Sequence, residues 1–383
     1  MQRIVLGRTG LEVYRLGFGG IPIQRVSEAE AVETVSHALE AGLDFIDTSR
    51  AYTTSERRIG LALKEAGAAV GPEAVVGRRV TGAMAHPSVC AAGAGVGSLA
   101  AGSVEGAVSP ASSRRVVVAS KSPAKTAEAM RADLETSLRE LGLDYLDIYK
   151  CHFVATLADY RVVTGPGGAL EALQRAREEG LIGHIGITSH SLEVIDRALD
   201  DDLFDVIMVC FSFLEPQARE HIIPKARRRN VGVLAMKPFS GGVIDEARLA
   251  LKYALAEPDV LVLAGVEHPD LFDENWRVFQ EDAPLTQSER LRIAEIRATY
   301  DKVFCRRCDY CQPCPAGIPI QTVLGVRTLV KRMGREVLEA SPLWPGIQKG
   351  RDCTACGDCL ARCPYELPIP DLIRANMEWL EED

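Results

Sequence analysis

The 383-residue sequence predicts a (β/α)8 barrel of the TIM type, followed by a small, mainly helical domain. Between about residues 16 and 280, short apolar segments rich in β-branched residues alternate with amphipathic segments of helical spacing, and the alternation runs through eight pairs. The chain is also too long for one small core. Its last 80 or so residues stand apart, because they contain eight of the eleven cysteines. A doubly wound open sheet is the alternative fold, but it rarely needs eight regular units.

Each predicted strand is a short apolar run, and each predicted helix follows from its spacing and its end signals. The run 116–120 is apolar almost throughout, as expected of a strand buried on both faces. The first helix begins at Ser27, because Ser27 and Glu30 can form a capping box, and glycines such as Gly142 end helices. The predicted strands are 16–20, 45–48, 116–120, 145–151, 184–188, 206–210, 231–236 and 260–264. The predicted helices are 27–42, 55–66, 126–141, 169–179, 192–199, 216–229, 247–256 and 269–279.

One stretch interrupts this alternation. Residues from about 68 to 115 are rich in Ala, Gly, Ser and Val, and a connection of this length is unusual in a compact domain. Because it lies between the second helix and the third strand, we predict an insertion on the barrel face opposite the active site. The predicted domains are a barrel over 1–290 that contains this insertion and a cysteine-rich unit over 300–383. A charged helical connector is predicted over 281–304, and a helix over 320–340.

The composition argues against several kinds of partner. The formal net charge of −9 argues against nonspecific binding to nucleic acid or to an anionic membrane. No segment reaches the length of a membrane span, and the N-terminus has no apolar stretch of signal-peptide form. We therefore predict a cytoplasmic protein with no nucleic-acid or membrane partner. Clustered cysteines in such a protein indicate metal or redox chemistry rather than disulfides.

The C-terminal cysteines form two groups with the spacing of bacterial ferredoxins. The second group reads C-x2-C-x2-C-x3-C-P, and the first has one residue fewer before its last cysteine. In two-cluster ferredoxins the cysteine before proline ligates the other cluster, which predicts two 4Fe–4S clusters here. A single cluster and a zinc ribbon are the alternatives. The first ligand set would be Cys305, Cys308, Cys311 and Cys363, and the second Cys353, Cys356, Cys359 and Cys314.

Four chemically active side chains come at the ends of consecutive predicted strands. Asp47 and Tyr52 follow the second strand, Lys121 the third and His152 the fourth, and TIM-barrel enzymes keep reactive groups at these ends. A lysine cation favours the phenolate form of a nearby tyrosine, and an aspartate can balance a buried lysine. The sequence therefore predicts that Tyr52 acts as a general acid. Taken singly, each residue also has a structural interpretation as a cap, an ion pair or an interior side chain.

Four segments resemble the aldo-keto reductase family: GLDFIDTSRAYTTSERRIGLAL, DLETSLRELGLDYLDIYKCHF, EEGLIGHIGITSH and VGVLAMKPFSGG. The first is similar to the family's Gly-x-x-Phe-x-Asp-Thr-Ala-x-x-Tyr segment. The cysteine-rich end resembles the ferredoxin extension of one bacterial branch. The resemblance implies a catalytic tetrad of Asp47, Tyr52, Lys121 and His152, with Tyr52 as proton donor. It also implies a nicotinamide cofactor, NADPH or NADH, laid across the barrel mouth.

The resemblance further implies which residues hold that cofactor. The family positions for the nicotinamide fall on Ser189, His190, Met208 and Met236, where Asn, Gln and Tyr are usual at the last three. Both methionines have core filling as an equal alternative. The pyrophosphate loop would be Lys237, Pro238, Phe239, Ser240 and Gly241, and the adenosine end would meet Gly265, Glu274 and Asn275.

One departure from the family bears on the choice between NADPH and NADH. Many members hold the 2′-phosphate of NADP with a Lys-Ser pair and an Arg, but here those positions read Gly265, Val266 and Leu271. Nearby residues such as Glu267 are acidic, so a phosphate would find few hydrogen-bond donors in this region. The preference between the two cofactors is therefore left open.

We predict an oxidoreductase that transfers hydride between a nicotinamide and a small carbonyl or alcohol substrate. Hydride carries two electrons and each cluster carries one. The clusters therefore either exchange electrons with another protein or hold the C-terminal unit together. A ferredoxin-fed reductase that uses no nicotinamide, and a non-enzymatic redox or iron sensor, are the alternatives. The sequence names neither the substrate nor the oligomeric state.

Overall fold

The computed structural model describes residues 2–71 and 115–382. Eight parallel strands pair in chain order and the last pairs with the first, so the predicted closed barrel is confirmed and the open-sheet alternative is wrong. A hairpin of β1 (Arg3–Val5) and β2 (Glu12–Tyr14) precedes the barrel. The barrel strands are β3 (Leu16–Gly19), β4 (Phe45–Asp47), β5 (Val117–Ser122), β6 (Leu146–Cys151), β7 (Ile182–Ser189), β8 (Val206–Cys210), β9 (Gly232–Met236) and β10 (Val260–Gly265).

Helices surround the barrel, as its predicted alternation requires. The capping box at Ser27 and Glu30 is present, and Gly142 ends its helix with a left-handed φ of 66°. A short helix, α4, forms within residues 153–168, between the last strand residue of β6 and α5. The helices are α1 (Glu28–Glu40), α2 (Ser55–Glu65), α3 (Ala127–Leu141), α4 (Leu157–Thr164), α5 (Ala169–Glu178), α6 (Leu192–Asp201), α7 (Ile222–Arg228), α8 (Ala247–Leu255), α9 (Pro269–Glu281) and α10 (Gln287–Tyr300).

The N-terminal hairpin closes one end of the barrel. Leu6, Leu11 and Val13 pack into the same interior cluster as the inward-facing side chains of the strands. Gly7 allows this approach: it has a φ of 54°, and a Cβ there would lie 2.2 Å from the backbone nitrogen of Gly232, at the start of β9. The hairpin therefore seals the N-terminal end, and the site described below lies at the opposite end.

The C-terminal unit has its own apolar core, in which the cysteines pack against helices. Residues 320–340 are helical as predicted, but glycines divide them into three helices, and Gly334 has a φ of 79°. The helices of this unit are α11 (Ile320–Leu324), α12 (Val326–Met333), α13 (Arg335–Glu339), α14 (Trp344–Gln348), α15 (Asp358–Arg362) and α16 (Ile369–Glu382). The division between domains at residues 290–300 stays a prediction.

Most of the predicted insertion lies outside the described residues. At its described borders, Val116 N donates to the Ala69 carbonyl at 2.9 Å, on the approach to β5. Among the helices in the described part of the chain, none is both long and apolar enough to cross a membrane.

Candidate active site

The alternation of side chains along the strands directs three charged residues into the barrel. Phe45 on β4 and Ile148 on β6 belong to the barrel interior. Because side chains alternate, Asp47 and Lys150, two residues further along each strand, also point inward and lie one layer nearer the mouth. Lys121 on β5 pairs in register with Lys150 on β6.

Asp47 is the counter-charge of two buried lysines. Lys121 Nζ donates to its Oδ1, and Lys150 Nζ donates to its Oδ2 at 2.6 Å. Lys121 Nζ also donates to the Thr48 carbonyl at 2.8 Å. Asp47, Lys121 and Lys150 are 4%, 1% and 0% exposed, so water does not screen these charges. The group holds two cations and one anion, and its positive excess favours an anion that forms beside it.

Sequence reasoning missed Lys150, although a signal was available. A lysine inside the buried strand LDIYKC needs a partner, but this strand was considered only for His152, which follows it. Burial lowers the pKa of Lys150 to about 8, because Asp47 offsets only part of the cost and the Lys121 cation adds to it. Gly186 on β7 makes room for this side chain, since a Cβ there would lie 2.6 Å from Lys150 Cγ.

This contact gives a stability prediction. We expect Gly186→Ala to lower the free energy of unfolding by about 1–3 kcal/mol, because the added methyl overlaps the lysine stem inside a packed barrel. The closest overlap disappears when Lys150→Ala is added, so the double variant should lose less than the sum of the two single losses. Urea unfolding of the four proteins measures this difference. Strict additivity would contradict the contact.

The loop that carries Tyr52 is fixed by the first residues of α2. Ser55 Oγ donates to the Gly20 carbonyl at 2.8 Å, which ties the loop to the end of β3. The buried carboxylate of Glu56 accepts from Ser120 Oγ on β5 at 2.6 Å. These bonds explain why a Ser-Glu pair follows the tyrosine in the sequence: it holds the loop against the neighbouring strands.

The structure brings the four predicted catalytic residues together. The rings of Tyr52 and His152 meet edge to face with centroids 5.7 Å apart, and Lys121 Nζ lies 4.7 Å from the Tyr52 ring centroid. Burial disfavours the Lys121 ammonium, but Asp47 and the hydrogen-bonded Tyr52 oxygen together raise the pKa of Lys121. Lys121 therefore stays protonated beside the phenol.

The ring of His152 is neutral at physiological pH. Burial first, and then the Lys121 ammonium, lower the pKa of His152 to about 3. Ser49 Oγ donates to the Lys121 carbonyl at 3.0 Å and lies 3.0 Å from His152 Nδ1. Because a hydroxyl has one proton, we assign the ring proton to Nδ1, which donates to Ser49. His152 Nε2 then keeps its lone pair as an acceptor.

The residues expected at the nicotinamide amide lie at the end of β7, where Ser189 is the last strand residue, and on the loop that follows it. Ser189 Oγ donates to the Val154 carbonyl at 2.6 Å. His190 Nε2 lies 2.8 Å from Lys237 Nζ and accepts from it, because an ammonium has only donors. Burial first, and then the Lys237 ammonium, hold the pKa of His190 well below its usual range. A neutral His190 therefore links the loop after β7 to the loop after β9.

The two methionines differ in position. Met208 is 1% exposed and packs inside the interior cluster, as the core-filling alternative requires. Met236 ends β9 and is only partly buried against the same cluster. Of the two, Met236 is the side chain that reaches the mouth.

The expected pyrophosphate loop follows β9 directly. Lys237 and Gly241 have left-handed φ values of 59° and 75°, so the backbone turns sharply there. Ser240 Oγ lies 2.8 Å from Ser212 Oγ, which joins this loop to the one after β8. Pro238 is buried within the turn.

The residues expected at the adenosine end lie after β10. Asn275 is 4% exposed and Glu274 is exposed, so Asn275 lies on the packed side of α9 and Glu274 faces solvent. Gly265 ends β10. Arg25, which the sequence analysis did not consider, forms an ion pair with Glu267 at 2.6 Å. It therefore balances part of the negative charge expected at this end of the site.

The C-terminal cysteines lie in two neighbourhoods, although among the described residues no group of three or more is arranged closely enough to hold a metal ion. The cysteines in the described residues form no disulfides. One set lies around Cys359, whose pKa is raised by burial first and then by the nearby thiols of Cys353, Cys356 and Cys314. The other set lines one cavity: Cys305, Cys308, Cys311 and Cys363. Both sets offer the soft thiol ligands that iron–sulfur clusters bind.

Comparison with known families identifies the barrel. The profile of the Aldo/keto reductase family matches residues 15–249. The chain belongs to the aldo/keto reductase family. It is an NAD(P)-dependent oxidoreductase of this family, and a 4Fe-4S dicluster domain matches residues 304–367 of its C-terminal unit.

Individual relatives of this aldo-keto reductase agree with the assignment. L-galactose dehydrogenase of Arabidopsis thaliana is 25% identical over 345 residues, which covers 78% of this chain and 94% of that protein. An aldo-keto reductase from Klebsiella pneumoniae, solved in complex with NADPH, superposes with a TM-score of 0.56 at 18% identity, over 78% of this chain and 95% of that one. The holo form of an aldo-keto reductase from Bacillus halodurans superposes with a TM-score of 0.55 at 23% identity, over 77% of this chain and 96% of that one. The two structural likenesses support the fold.

Proposed function

We propose that this aldo-keto reductase transfers hydride between a nicotinamide and a small carbonyl or alcohol substrate, with Tyr52 as the proton donor. The observation that carries the proposal is the buried contact of Tyr52 with Lys121, which Asp47 holds protonated. The neutral ring of His152 lies against the same phenol.

The mechanism divides the reduction between the cofactor and the protein. A nicotinamide bound at the barrel mouth would supply the hydride for the new C–H bond at the carbonyl carbon. Tyr52 donates its hydroxyl proton to the carbonyl oxygen and becomes a phenolate. Lys121 stabilises that phenolate, and solvent later returns the proton. After the proton transfer, His152 accepts a hydrogen bond at Nε2 from the product hydroxyl and so holds the alcohol oxygen beside Tyr52.

The cofactor would lie across the loops after β7, β9 and β10. Ser189 and His190 would hold the nicotinamide amide, Met236 would pack on the ring, and Lys237 and Ser240 would bind the pyrophosphate. These assignments follow the family positions, and the His190–Lys237 bond supports them because it joins two of the loops. Met208 is buried in the interior cluster, which favours its core-filling role over a contact with the ring.

The choice of cofactor gives a binding prediction. Arg25 is a cation at the expected adenosine end, but Glu267 already pairs with it. We therefore expect the dissociation constants of NADPH and NADH to differ by less than about tenfold, which is about 1.4 kcal/mol. Quenching of tryptophan fluorescence by each nucleotide measures both constants. A preference for NADPH of a hundredfold or more would contradict this expectation.

We propose two 4Fe–4S clusters with crossed fourth ligands. Wild-type protein purified without oxygen should then contain about eight iron atoms per chain. Cys363→Ser and Cys314→Ser should each lose one different cluster and keep about four iron atoms. Cys151→Ala removes a buried thiol at the end of β6, far along the chain from either set, and serves as the matched control. About four iron atoms in the wild type would contradict the two-cluster proposal.

The exposure of the second cysteine set favours a role in electron exchange. Cys356 is exposed, whereas Cys311 of the first set is buried. A cluster on Cys356 would lie within reach of an external electron-transfer protein. EPR of the second cluster during turnover tests this, because a cluster that never changes oxidation state would support a purely structural role.

The direct test of the proposed function is an anaerobic assay of the loaded protein. Reduction of 4-nitrobenzaldehyde is followed with NADPH and with NADH, and oxidation of L-galactose is followed with NAD⁺ and NADP⁺. The named activity of the Arabidopsis relative is the reason to include L-galactose. Nicotinamide-dependent turnover supports the proposal, whereas turnover with reduced ferredoxin alone would favour the alternative reductase.

A further inference from the structure

The loop of the first cysteine set also contacts the barrel. Two adjacent arginines lie between Cys305 and Cys308 and point in different directions. Arg306 stacks on the Tyr365 ring of its own unit, 4.2 Å from the ring centroid. Arg307 has a left-handed φ of 59° and reaches the barrel instead. Its Nη2 donates to the two carboxylate oxygens of Glu215 at 3.2 and 3.0 Å.

Glu215 connects Arg307 to the expected pyrophosphate loop. Glu215 is 4% exposed and lies on the loop after β8. Its backbone nitrogen donates to Ser212 Oγ at 3.1 Å, and the same oxygen lies 2.8 Å from Ser240 Oγ. The Arg307 cation also lies close to the thiol of Cys210, the last residue of β8, because it opposes the rise in the pKa of Cys210 that burial causes. Arg307 therefore braces the loop after β8, which in turn braces the loop after β9.

A second contact from the same cysteine loop reaches the loop after β7. Tyr310 Oη lies 3.2 Å from Ser191 Oγ, and the Ser191 backbone nitrogen donates to Ser189 Oγ at 2.9 Å. Arg307 also lies near His190, because its charge is among the nearby cations that, after burial, lower the pKa of that ring. Residues on both sides of Cys308 thus hold the loops that carry the expected nicotinamide contacts.

We propose that Arg307 is a positioning residue of the nicotinamide subsite, so that the iron–sulfur unit completes the cofactor site of the barrel. The inference rests on the proposed function, because that function defines the subsite. A buried ion pair is costly to break from one side, since the remaining charge loses its partner inside the protein. Without Arg307, the Glu215 carboxylate is left unpaired and the loop after β8 must rearrange. Arg307 acts through these loops and touches neither substrate nor reacting atoms.

The test compares the two neighbouring arginines in the cluster-loaded, full-length protein. Dissociation constants of NADPH and NADH are measured by quenching of tryptophan fluorescence in Arg307→Gln and in Arg306→Gln. We expect Arg307→Gln to weaken binding of both nucleotides at least tenfold and Arg306→Gln to stay within twofold of the wild type. Iron content and the EPR spectrum of each variant show that the clusters are still present. Arg307→Lys should recover part of the affinity, because a lysine can still pair with Glu215.

A variant on the barrel side keeps the test valid if Arg307→Gln fails to load its clusters. Glu215→Gln leaves the cysteine loop unchanged and should weaken nucleotide binding by a similar factor. The double variant should be no worse than either single one, because both remove the same pair. Wild-type affinity in loaded Arg307→Gln or in Glu215→Gln would overturn the inference while the proposed function stands. Failure of the wild type to bind either nucleotide would overturn both.

Discussion

Tyr52→Phe is expected to lower kcat/KM for nicotinamide-dependent carbonyl reduction by about 10²–10⁴-fold, the usual contribution of a positioned general acid. Phenylalanine keeps the edge-to-face contact with His152 and the ring beside Lys121. It removes only the hydroxyl group, whose proton the carbonyl oxygen of the substrate must receive. Binding of NADPH and NADH should therefore stay within about twofold of the wild type, because the family positions for the cofactor do not include the phenol oxygen. Steady-state kinetics together with nucleotide titration separate the two effects.

Tyr14→Phe is the matched control for this variant. Tyr14 lies on the hairpin at the closed end of the barrel, where it packs against Trp276 and Phe279. Its replacement makes the same chemical change away from the mouth and should leave kcat/KM unchanged. Full activity in Tyr52→Phe would refute the proton-donor assignment. Lost nucleotide binding in that variant would show instead that the phenol shapes the cofactor site.

Lys150→Met is expected to change the pH dependence of stability. The pKa of Lys150 is lowered from 10.5 to about 8, mainly by burial. Below pH 8 the lysine is protonated in both the folded and the unfolded chain, so the folded protein bears the full cost of the buried charge. Between pH 8 and 10.5 only the unfolded chain keeps the proton, and wild-type stability rises with pH. The shift corresponds to about 3 kcal/mol.

Methionine has a similar length and carries no charge, so the variant lacks this linkage. Its stability relative to the wild type should be greatest below pH 8 and should fall by about 3 kcal/mol as the pH rises toward 10.5. The variant also loses the hydrogen bond to Asp47 Oδ2, which lowers its free energy of unfolding relative to the wild type by a constant of about 1–3 kcal/mol at every pH. Urea unfolding at pH 7 and at pH 10 measures the change. If the free energies of unfolding of the two proteins change with pH in parallel, the pKa of Lys150 is not lowered by burial and the prediction is contradicted.

The barrel could be predicted from the sequence because its signals are local and repeated. Each strand is an apolar run with a helix of amphipathic spacing after it, and the predicted strands lie within two residues of the observed ones. The hairpin was missed because β1 and β2 are only three residues long each. Residues 320–340 were taken as one helix because their apolar spacing continues across Gly325 and Gly334, where the structure breaks the helix.

The candidate site was predicted where the residues follow strand ends and missed where partners come from distant segments. Asp47, Tyr52, Lys121 and His152 follow neighbouring strands, so their meeting is a consequence of the barrel. Lys150, Arg25 and Arg307 depend on pairing with residues that the sequence does not mark as neighbours. The 92-residue separation of Arg307 and Glu215 illustrates the difficulty, since only the packing of one unit on the other brings them together.

The transfer of a labelled hydride tests the central claim most directly. NADPH and NADH carrying deuterium at each C4 position in turn are supplied without oxygen to the loaded enzyme with 4-nitrobenzaldehyde, and the alcohol is analysed by mass spectrometry. We predict that one C4 stereoisomer of the labelled cofactor places one deuterium on the carbinol carbon of nearly every product molecule, while the other places none. Alcohol that forms without label from either stereoisomer would contradict hydride transfer in the barrel and would point to electrons delivered by the clusters.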